Sequence, residues 1–591
     1  MKYTVKKNLH SDFSVMEIGK LPGRAYFIPY ESKEKLKCTD IFNERYNSGM
    51  VEILSGDWDF KFYKKASAMP DVIDTKKIRF DTVHVPSVWQ RTGYLPPVYL
   101  NCPYECKTKA PEVPADMPAA MYRKMINLDA VADTEIISFL GMSSNLSLYV
   151  NGIFVGYSEG SHNTAEFDIT SLLHAGENEI IVLSWKWCNG TFLEAQDMFR
   201  ENGIFRDVYL THCGKTYLND FQINSEKTEN GYNVAVDCNV EGNTENVIVK
   251  ASLILKGETV AEAQVEAEKN CVIDFGTLDV IEWNAEIPTV YELYITLENA
   301  DGEIMTVRNI TGFKTIEIKD AVFYFNGQPI KIKGVNHHDT NQYRGYAMTL
   351  EDMKQDVEIM KSLNVNSVRT SHYPPDPFFN ILADVYGLYI IDEADIETHG
   401  CGEMFDDVSH LSKNLKWAPR YIDRVARMYM RDRNRVSIIM WSLGNESGGY
   451  QCHDKCYEWL KNTGTKIPVH YEGVVRTKRF AYDVISEMYT DTYSMEAMLE
   501  GKRKEIRDGN VFTSKMYRSK PFYLCEYCHA MGVGPGNMEE YWDIIYASDS
   551  FMGGCVWEWA DHTVYHDGDG YPYRYTYGGD HGENSMTEIS A

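Results

Sequence analysis

Two hydrophobic patterns divide the chain into a first half that predicts strands and a second half that predicts alternating strands and helices. From about residue 50 to residue 315, short runs of alternating apolar and polar residues are separated by Gly, Asn and Asp. Asn145–Val150 and Ile153–Tyr157 are two such runs, and the Asn151-Gly152 pair between them is a strong signal for a β-hairpin. This half predicts all-β structure long enough for two sandwiches, with a boundary near Lys215. Other predicted strands are Glu179–Trp187, Val208–Thr211, Val247–Leu255 and Val290–Leu297.

From about residue 328 the pattern changes to strands that alternate with amphipathic helices. Thr349 and Asp352 form the sequence signature of a capping box, and Asp376-Pro377 starts a second helix that Gly387 ends. Eight apolar runs in this region have the number and spacing of the strands of a (β/α)8 barrel. No amphipathic helix follows the eighth run, so the barrel is expected to lack its last helix. The predicted strands are Ile330–Val335, Asn366–Ser371, Leu388–Glu393, Val436–Leu443, Val469–Glu472, Ile485–Tyr489, Phe522–Glu526 and Gly553–Trp559.

Composition and charge exclude several classes of protein. The 591 residues are 44% hydrophobic and 25% charged, which excludes a disordered or fibrous chain, and the net charge of −27 argues against binding to nucleic acid or to an anionic membrane. No segment approaches the roughly 20 apolar residues of a membrane span, and the amino terminus lacks the apolar core of a signal peptide. The 13 cysteines form no dense framework and no zinc-ribbon spacing, which predicts free thiols in a cytoplasmic protein.

Two glutamates stand at the ends of predicted barrel strands, where the active site of a (β/α)8 barrel is built. Glu446 follows the fourth predicted strand and Glu526 ends the seventh, so their side chains are expected to face one another across the barrel mouth. A pair of carboxylates on either side of a sugar is what glycoside hydrolysis requires, one as acid and the other as nucleophile or base. The alternative is that each glutamate only ends a strand and pairs with an arginine.

A metal site and a sugar-stacking surface are further candidates at the same edge of the barrel. Glu397 and His399 lie two residues apart beyond the third predicted strand, and with a third acid they could share a hard cation such as Mg²⁺. A histidine that is simply held by a neighbouring glutamate explains this spacing equally well. Trp557 and Trp559 end the eighth strand, where their rings could stack on a sugar. The sequence contains no HExxH motif and no P-loop, so zinc-protease and nucleotide-binding functions are not indicated.

Long motifs in both halves of the chain resemble glycoside hydrolase family 2, and within it the large tetrameric type of bacterial β-galactosidase. In the barrel they are GVNHHDT (334–340), VRTSHYPPDP (368–377), GLYIIDEADIETHG (387–400), IIMWSLGNESG (438–448) and LCEYCHAMG (524–532). Upstream, VPSVWQRTGY (85–94), AGENEIIVLSW (175–185) and EAQDMFRENGIFRDV (194–208) resemble the family's sugar-binding sandwich, and WNAEIPTVYEL (283–293) resembles its second β-domain.

The resemblance implies three domains. They are a jelly-roll sugar-binding domain with an N-terminal extension over residues 1–215, an immunoglobulin-like β-sandwich over 216–315, and a (β/α)8 TIM barrel, incomplete at its C-terminus, over 316–591.

The resemblance also implies a retaining glycosidase that removes terminal β-D-galactose from β-galactosides such as lactose. Glu526 matches the family's nucleophile and Glu446 its general acid/base, while Glu397, His399 and Glu446 match its Mg²⁺ ligands. The residues that match substrate-binding positions are Asn101, Asp197, His338, His372, Asn445, Tyr489, His529 and Trp557.

Three features bear on specificity and completeness. The sequence Asn-Glu-Ser at 445–447 favours a galactosidase, because the related glucuronidases typically carry Asn-Glu-Pro. Of the family's Na⁺ ligands only Asp197 is present, so the Na⁺ site is expected to be incomplete. Family members continue beyond the last residue here, so we expect a truncated chain, with homo-oligomer formation open to the full-length form. The alternatives are a truncated product that is inactive or only binds sugar, and a family 2 enzyme for a β-glucuronide or β-mannoside.

Overall fold

The computed structural model describes residues 1–473, 482–507, 510–530, 534–568, 570–571 and 573–583. Within these ranges the chain forms two β-sandwiches followed by a parallel barrel, which confirms the predicted fold class. The last residues assigned to the barrel domain, 584–591, lie outside the described residues.

The first sandwich pairs a seven-stranded sheet with a four-stranded sheet, both antiparallel. The predicted hairpin is present, and Asn151 in its turn has a left-handed backbone (φ +49°). Asn and Gly tolerate that conformation, which explains why this pair marks the turn. In spatial order, the larger sheet contains Glu17–Ile18, Ile153–Glu159, Asn145–Val150, Gly176–Trp185, Ala119–Leu128, Gly56–Tyr63 and Asp81–Val85, and the smaller contains Ala165–Asp168, Thr134–Phe139, Val208–Cys213 and Val51–Ile53.

The second sandwich packs a three-stranded sheet against a five-stranded one. Its core includes Val236 and Ile295, which are fully buried, and each such side chain stabilises the fold by about 1.5–3 kcal/mol. Pro29–Tyr30 is the edge strand of the larger sheet, a position that tolerates a residue without an N–H. The strands are Thr216–Thr228, Gly231–Gly242 and Asn270–Leu278 in one sheet, and Glu258–Glu266, Ile248–Leu255, Tyr291–Asn299, Gly302–Thr311 and Pro29–Tyr30 in the other.

Short sheets complete the strand inventory of the described residues. A three-stranded sheet, Ile316–Lys319, Val322–Phe325 and Gln328–Pro329, leads into the barrel. The two-stranded sheets are Lys2–Thr4 with Val72–Asp74, Met142–Ser143 with Gly203–Ile204, Tyr99–Leu100 with Met198–Phe199, Lys504–Arg507 with Asn510–Thr513, and Val564–Tyr565 with Tyr575–Thr576.

Eight parallel strands, here β1 to β8 in chain order, form the barrel, as the sequence predicts. Their spatial order is β5-β4-β3-β2-β1-β8-β7-β6, so β1 pairs with both β2 and β8. The strands are Ile332–His337 (β1), Ser367–Thr370 (β2), Tyr389–Glu393 (β3), Ile438–Ser442 (β4), Val469–His470 (β5), Ile485–Met488 (β6), Phe522–Tyr527 (β7) and Phe551–Val556 (β8).

Two barrel helices have ends that the sequence predicts. Thr349 and Asp352 form the capping box, Asp376 caps the next helix, and Gly387 ends it with a left-handed backbone (φ +83°). After β8 the described residues contain no helix. The α-helices are Lys33–Lys37, Leu350–Ser362, Pro377–Tyr386, Cys401–Phe405, Ala418–Asp432, Gln451–Asn462, Thr492–Leu499, Ser514–Tyr517 and Met538–Tyr546, and the 3-10 helices are Leu9–Ser11, Ala66–Ala68, Thr75–Lys77, Thr170–Leu172, Asn189–Leu193 and Leu415–Trp417.

The first sandwich contacts the barrel through backbone hydrogen bonds at the barrel mouth. The N–H of Glu397 donates to the carbonyl of Leu193 at 2.7 Å, and the N–H of Ala195 donates to the carbonyl of Glu397 at 3.1 Å. A loop of the first domain is therefore fixed beside the carboxyl ends of the barrel strands. All 13 cysteines are free thiols, as predicted. No helix among the described residues is long and apolar enough to cross a membrane.

Candidate active site

Glu526 lies near the carboxyl end of β7, and its carboxylate is held at both oxygens. The residue is 5% exposed. Its Oε1 accepts a hydrogen bond from Nη1 of Arg369 at 2.9 Å, and its Oε2 accepts one from the hydroxyl of Tyr489 at 2.9 Å. Nε2 of His372 lies 3.7 Å from Oε1. A carboxylate fixed in this way is pre-oriented for attack on a bound substrate.

The guanidinium of Arg369, on β2, is fully buried and connects residues from several barrel strands. Its Nε and Nη2 donate to the two carboxylate oxygens of Glu393 at 2.8 and 3.0 Å, a bidentate charge-assisted pair. Its Nη1 also donates to Oδ1 of Asn336, and Nη2 donates to Oδ1 of Asn445, both at 2.9 Å. Arg369 therefore links Glu526 to residues at the ends of β1, β3 and β4.

The two glutamates bound to Arg369 have opposite electrostatic environments. Burial raises the pKa of Glu526 to about 8, and the charge of Glu446 adds to this effect while Arg369 opposes it. Burial also acts to raise the pKa of Glu393, but Arg369 and His372 outweigh it and lower that pKa to about 2. Glu393 is thus the constant anionic partner of Arg369, and Glu526 is the one that exchanges a proton near neutral pH.

Glu446 follows β4 in an uncommon backbone conformation (φ +31°). Left-handed non-glycine residues cluster at functional sites, where the surrounding structure holds them in place. Its side chain is 24% exposed at the barrel mouth, and Oε2 lies 2.8 Å from Nδ1 of His399. The charge of Glu446 contributes to the raised pKa of both Glu526 and Tyr489, after the larger effect of burial. The two predicted catalytic acids therefore interact electrostatically at the barrel mouth.

Glu397, His399 and Glu446 each bring one ligand atom to within 4.8 Å of the others. Oε2 of Glu397 accepts a hydrogen bond from Nδ2 of Asn445 at 3.0 Å, whereas its buried Oε1 has no hydrogen-bond partner among the described residues. Burial and the charge of Glu446 raise the pKa of Glu397 well above its ordinary value. Two carboxylates and an imidazole with an unsatisfied buried oxygen fit a hard divalent cation such as Mg²⁺.

Imidazole and indole rings line the same mouth. His372 stacks on Trp557 with ring centroids 5.1 Å apart and planes at 8°, and His338 meets Trp557 edge-on at 5.6 Å. His529 is half-buried, 6.4 Å from Trp557 and 6.1 Å from Tyr489 between ring centroids. The structure therefore brings these predicted substrate-binding residues together at the barrel mouth.

Asn101 and Asp197 reach the rim of the barrel mouth from the first sandwich. Oδ1 of Asn101 accepts a hydrogen bond from the thiol of Cys102 at 2.9 Å, and that Sγ lies 3.6 Å from Nε2 of His399. Burial acts to lower the pKa of His562, in the loop after β8, but acidic neighbours that include Asp197 raise it. These contacts place both residues beside the barrel mouth, and Na⁺ binding at Asp197 stays a prediction.

Sequence reasoning assigned no role to Arg369 and Glu393, which position Glu526. A usable signal was present, because an arginine inside a buried barrel strand requires carboxylate partners. Glu558, at the end of the eighth predicted strand, and His562 were also given no role. With His338 they form a second group whose ligand atoms lie within 4.8 Å of one another.

The barrel has the architecture of a glycoside hydrolase. Its mouth holds two carboxylic acids, a group of side chains that could bind a cation, and stacked aromatic rings. Three family models match the chain: the sugar binding domain of glycosyl hydrolases family 2 at residues 51–214, a second model described as glycosyl hydrolases family 2 at 216–314, and the TIM barrel domain of the family at 316–589. The chain belongs to glycoside hydrolase family 2.

Curated relatives of the chain are named β-galactosidases. The protein of Staphylococcus xylosus is 36% identical over 595 residues, which cover 98% of this chain and 57% of that protein. The protein of Pectobacterium atrosepticum is 36% identical over 558 residues, covering 90% of this chain and 52% of that protein. The chain therefore spans about half the length of the curated relatives it matches.

Solved structures with a similar fold include two β-glucuronidases. The enzyme from Ruminococcus gnavus in complex with D-glucuronic acid has a TM-score of 0.68 at 18% identity, covering 88% of this chain and 92% of that one. The Bifidobacterium dentium enzyme complexed with coumarin-3-O-glucuronide has a TM-score of 0.67 at 19% identity, covering 87% and 92%. At this identity the likeness shows the shared fold.

Proposed function

We propose that the chain carries the active site of a retaining β-galactosidase, which removes terminal β-D-galactose from β-galactosides such as lactose. The observation that carries this proposal is the carboxylate of Glu526, held between Arg369 and Tyr489 within electrostatic reach of Glu446. Identity of 33–36% to curated β-galactosidases supports galactose as the sugar. The Asn-Glu-Ser sequence at 445–447 supports the same choice.

Double displacement assigns a different task to each acid. In the first step Glu526 attacks the anomeric carbon while Glu446 donates its proton to the glycosidic oxygen, so the bond to the aglycone breaks and a galactosyl ester forms. In the second step Glu446 removes a proton from water, which attacks the same carbon and releases Glu526. Arg369 and Tyr489 hold the attacking carboxylate in one orientation through both steps.

At the start of the reaction, the two acids together carry one proton. In addition to burial, the charge of Glu446 raises the pKa of Glu526, so the two carboxyls do not ionise together at neutral pH. The hydrogen bonds from Arg369 and Tyr489 favour the ionised form of Glu526. For the first step that proton must lie on Glu446, because the leaving oxygen needs it there and Glu526 must attack as a carboxylate.

Mg²⁺ is the proposed cofactor, held by Glu397, His399 and Glu446. When bound, the ion supplies positive charge that offsets the two carboxylates. Asn445 donates its Nδ2 to Glu397 and accepts a hydrogen bond from Nη2 of Arg369, so the cation ligands and the nucleophile share one hydrogen-bond network.

The remaining predicted residues supply sugar contacts. His338, His372 and His529 offer ring nitrogens to galactose hydroxyls, and the ring of Trp557 lies among them. Asn101 and Asp197 close the rim from the first domain.

Turnover of nitrophenyl β-D-galactoside, β-D-glucuronide and β-D-mannoside tests the proposal. The galactoside should react fastest, and Glu526→Gln should lower kcat by about 10⁴-fold or more, the scale for loss of a catalytic nucleophile. Glu458→Gln is the matched control, because that carboxylate is 54% exposed on a helix surface. Faster hydrolysis of the glucuronide or the mannoside would show that galactose is not the preferred sugar. A Glu526→Gln variant that keeps its activity would show that Glu526 is not the nucleophile. Galactose binding by calorimetry without turnover would favour a protein that only binds sugar.

A further inference from the structure

A second group of ligand-type side chains lies beside the candidate active site. His338 follows β1, and Glu558 and His562 follow β8, so neighbouring strands bring them together. Nε2 of His562 is 3.2 Å from Oε2 of Glu558, and the rings of His338 and His562 meet edge-on with centroids 4.6 Å apart. One ligand atom from each residue lies within 4.8 Å of the other two.

His338 is the member of this group whose surroundings indicate a ligand. It is 4% exposed, and its Nδ1 lies 3.1 Å from the hydroxyl of Tyr373. Its Nε2 is buried and has no hydrogen-bond partner in the described part of the chain. A buried nitrogen without a partner costs free energy that a bound ligand would offset. Histidines that bind a metal through one nitrogen usually hydrogen-bond through the other, as Nδ1 does here.

The electrostatic surroundings favour a cation. The negatively charged carboxylates of Glu558, Asp197 and Glu201 act on the ring of His562. A positive ion placed between this ring and that of His338 would meet the same negative charges.

We propose that His338, Glu558 and His562 form a second cation site, separate from the Glu397 group, for a transition-metal ion of the zinc class. Two imidazoles and one carboxylate are a donor set of open zinc sites, whereas oxygen-rich sets suit Mg²⁺. Because His338 is also a proposed sugar contact, the ion and galactose compete for it. This competition rests on the proposed function, and the binding of the ion does not.

Titration calorimetry with Zn²⁺ on the Mg²⁺-saturated protein tests the site. One equivalent should bind, and His562→Gln and Glu558→Gln should each weaken its binding by more than about 100-fold, the upper range for losing an outer-shell partner. His174→Gln, which removes an exposed imidazole of the first sandwich, is the matched control and should bind Zn²⁺ as the parent does. Circular dichroism of the two site variants checks that each is folded.

The visible absorption of Co²⁺, bound in place of Zn²⁺, supplies a second readout. The parent protein should show the intense bands of a four-coordinate site, and His562→Gln should not. Zinc binding that both site variants leave unchanged would overturn the proposal, as would the absence of any equivalent on the Mg²⁺-saturated protein. Saturating galactose should weaken Zn²⁺ binding at least tenfold. If galactose binds and zinc affinity does not change, competition at His338 is wrong. If galactose neither binds nor is released from substrates, the proposed function is wrong. The metal-site proposal is then still judged by the Zn²⁺ binding of the two site variants.

Discussion

Replacing Glu526 with glutamine is expected to stabilise the protein at alkaline pH while it abolishes turnover. The carboxyl is 5% exposed, and burial is the main reason that its pKa rises to about 8. The folded state therefore holds this proton more tightly than the unfolded state does. The corresponding stability is fully present below about pH 4.5 and is lost as the pH rises through about 8. Glutamine has the shape of the protonated acid and carries no charge at any pH.

The magnitude follows from the two pKa values. The difference between 4.5 and about 8, at about 1.36 kcal/mol per pH unit, gives on the order of 5 kcal/mol above pH 8. A domain of 150–250 residues changes Tm by about 2–4 °C per kcal/mol, so the variant should melt roughly 10 °C higher than the parent at pH 9. At pH 5 the two proteins should melt within a few degrees of one another.

Differential scanning calorimetry from pH 5 to pH 9, in EDTA, measures this difference. Glu393→Gln is the matched comparison, because it also removes a carboxylate bound to Arg369. The pKa of Glu393 is lowered to about 2, so its stability contribution is present above about pH 4.5 and lost only as the pH falls through about 2. This variant should lose about 3–5 kcal/mol at every pH in the range. A Glu526→Gln variant that melts no higher than the parent at pH 9 would refute the reasoning.

Further predictions concern catalysis. Arg369→Lys keeps the positive charge but loses the planar guanidinium group. The value of kcat/KM on a β-galactoside should fall about 30-fold, the equivalent of ~2 kcal/mol for one charge-assisted hydrogen bond. An unchanged value would contradict the positioning role of Arg369. Glu446→Gln should slow substrates with poor leaving groups more than nitrophenyl galactosides, and equal slowing would argue against Glu446 as the acid. EDTA should move the acid limb of the kcat/KM profile to higher pH. Removing the cation leaves the charge of Glu446 unneutralised, and that charge, acting with burial, raises the pKa of Glu526. A profile unaffected by EDTA and by added Mg²⁺ would count against a cation at Glu397 and His399.

Features with strong local signals could be predicted from the sequence. The capping box of Thr349 and Asp352, the helix end at Gly387 and the Asn-Gly hairpin turn each depend on residues close together in the chain. Strand ends were less accurate. The fourth barrel strand was predicted as 436–443 and is Ile438–Ser442, because an apolar run does not show where strand pairing stops.

The candidate site could be predicted only in part. The residue types and their places at strand ends were visible, and the family resemblance supplied roles. The hydrogen-bond network of Arg369 was not visible, because it joins residues 24 to 157 positions apart and depends on how side chains turn inside the barrel. The contact of Leu193 and Ala195 with Glu397 was also hidden, since it arises only when two domains pack together.

Covalent trapping tests the central claim most directly. A 2-deoxy-2-fluoro β-galactoside with a good leaving group slows the second step more than the first, so the glycosyl-enzyme ester should accumulate. Mass spectrometry of the digested protein should find one added fluorogalactosyl group on the peptide that contains Glu526, and Glu526→Gln should remain unlabelled. A label on any other residue, or inactivation without a label, would contradict the assignment of Glu526 as the nucleophile of a retaining galactosidase.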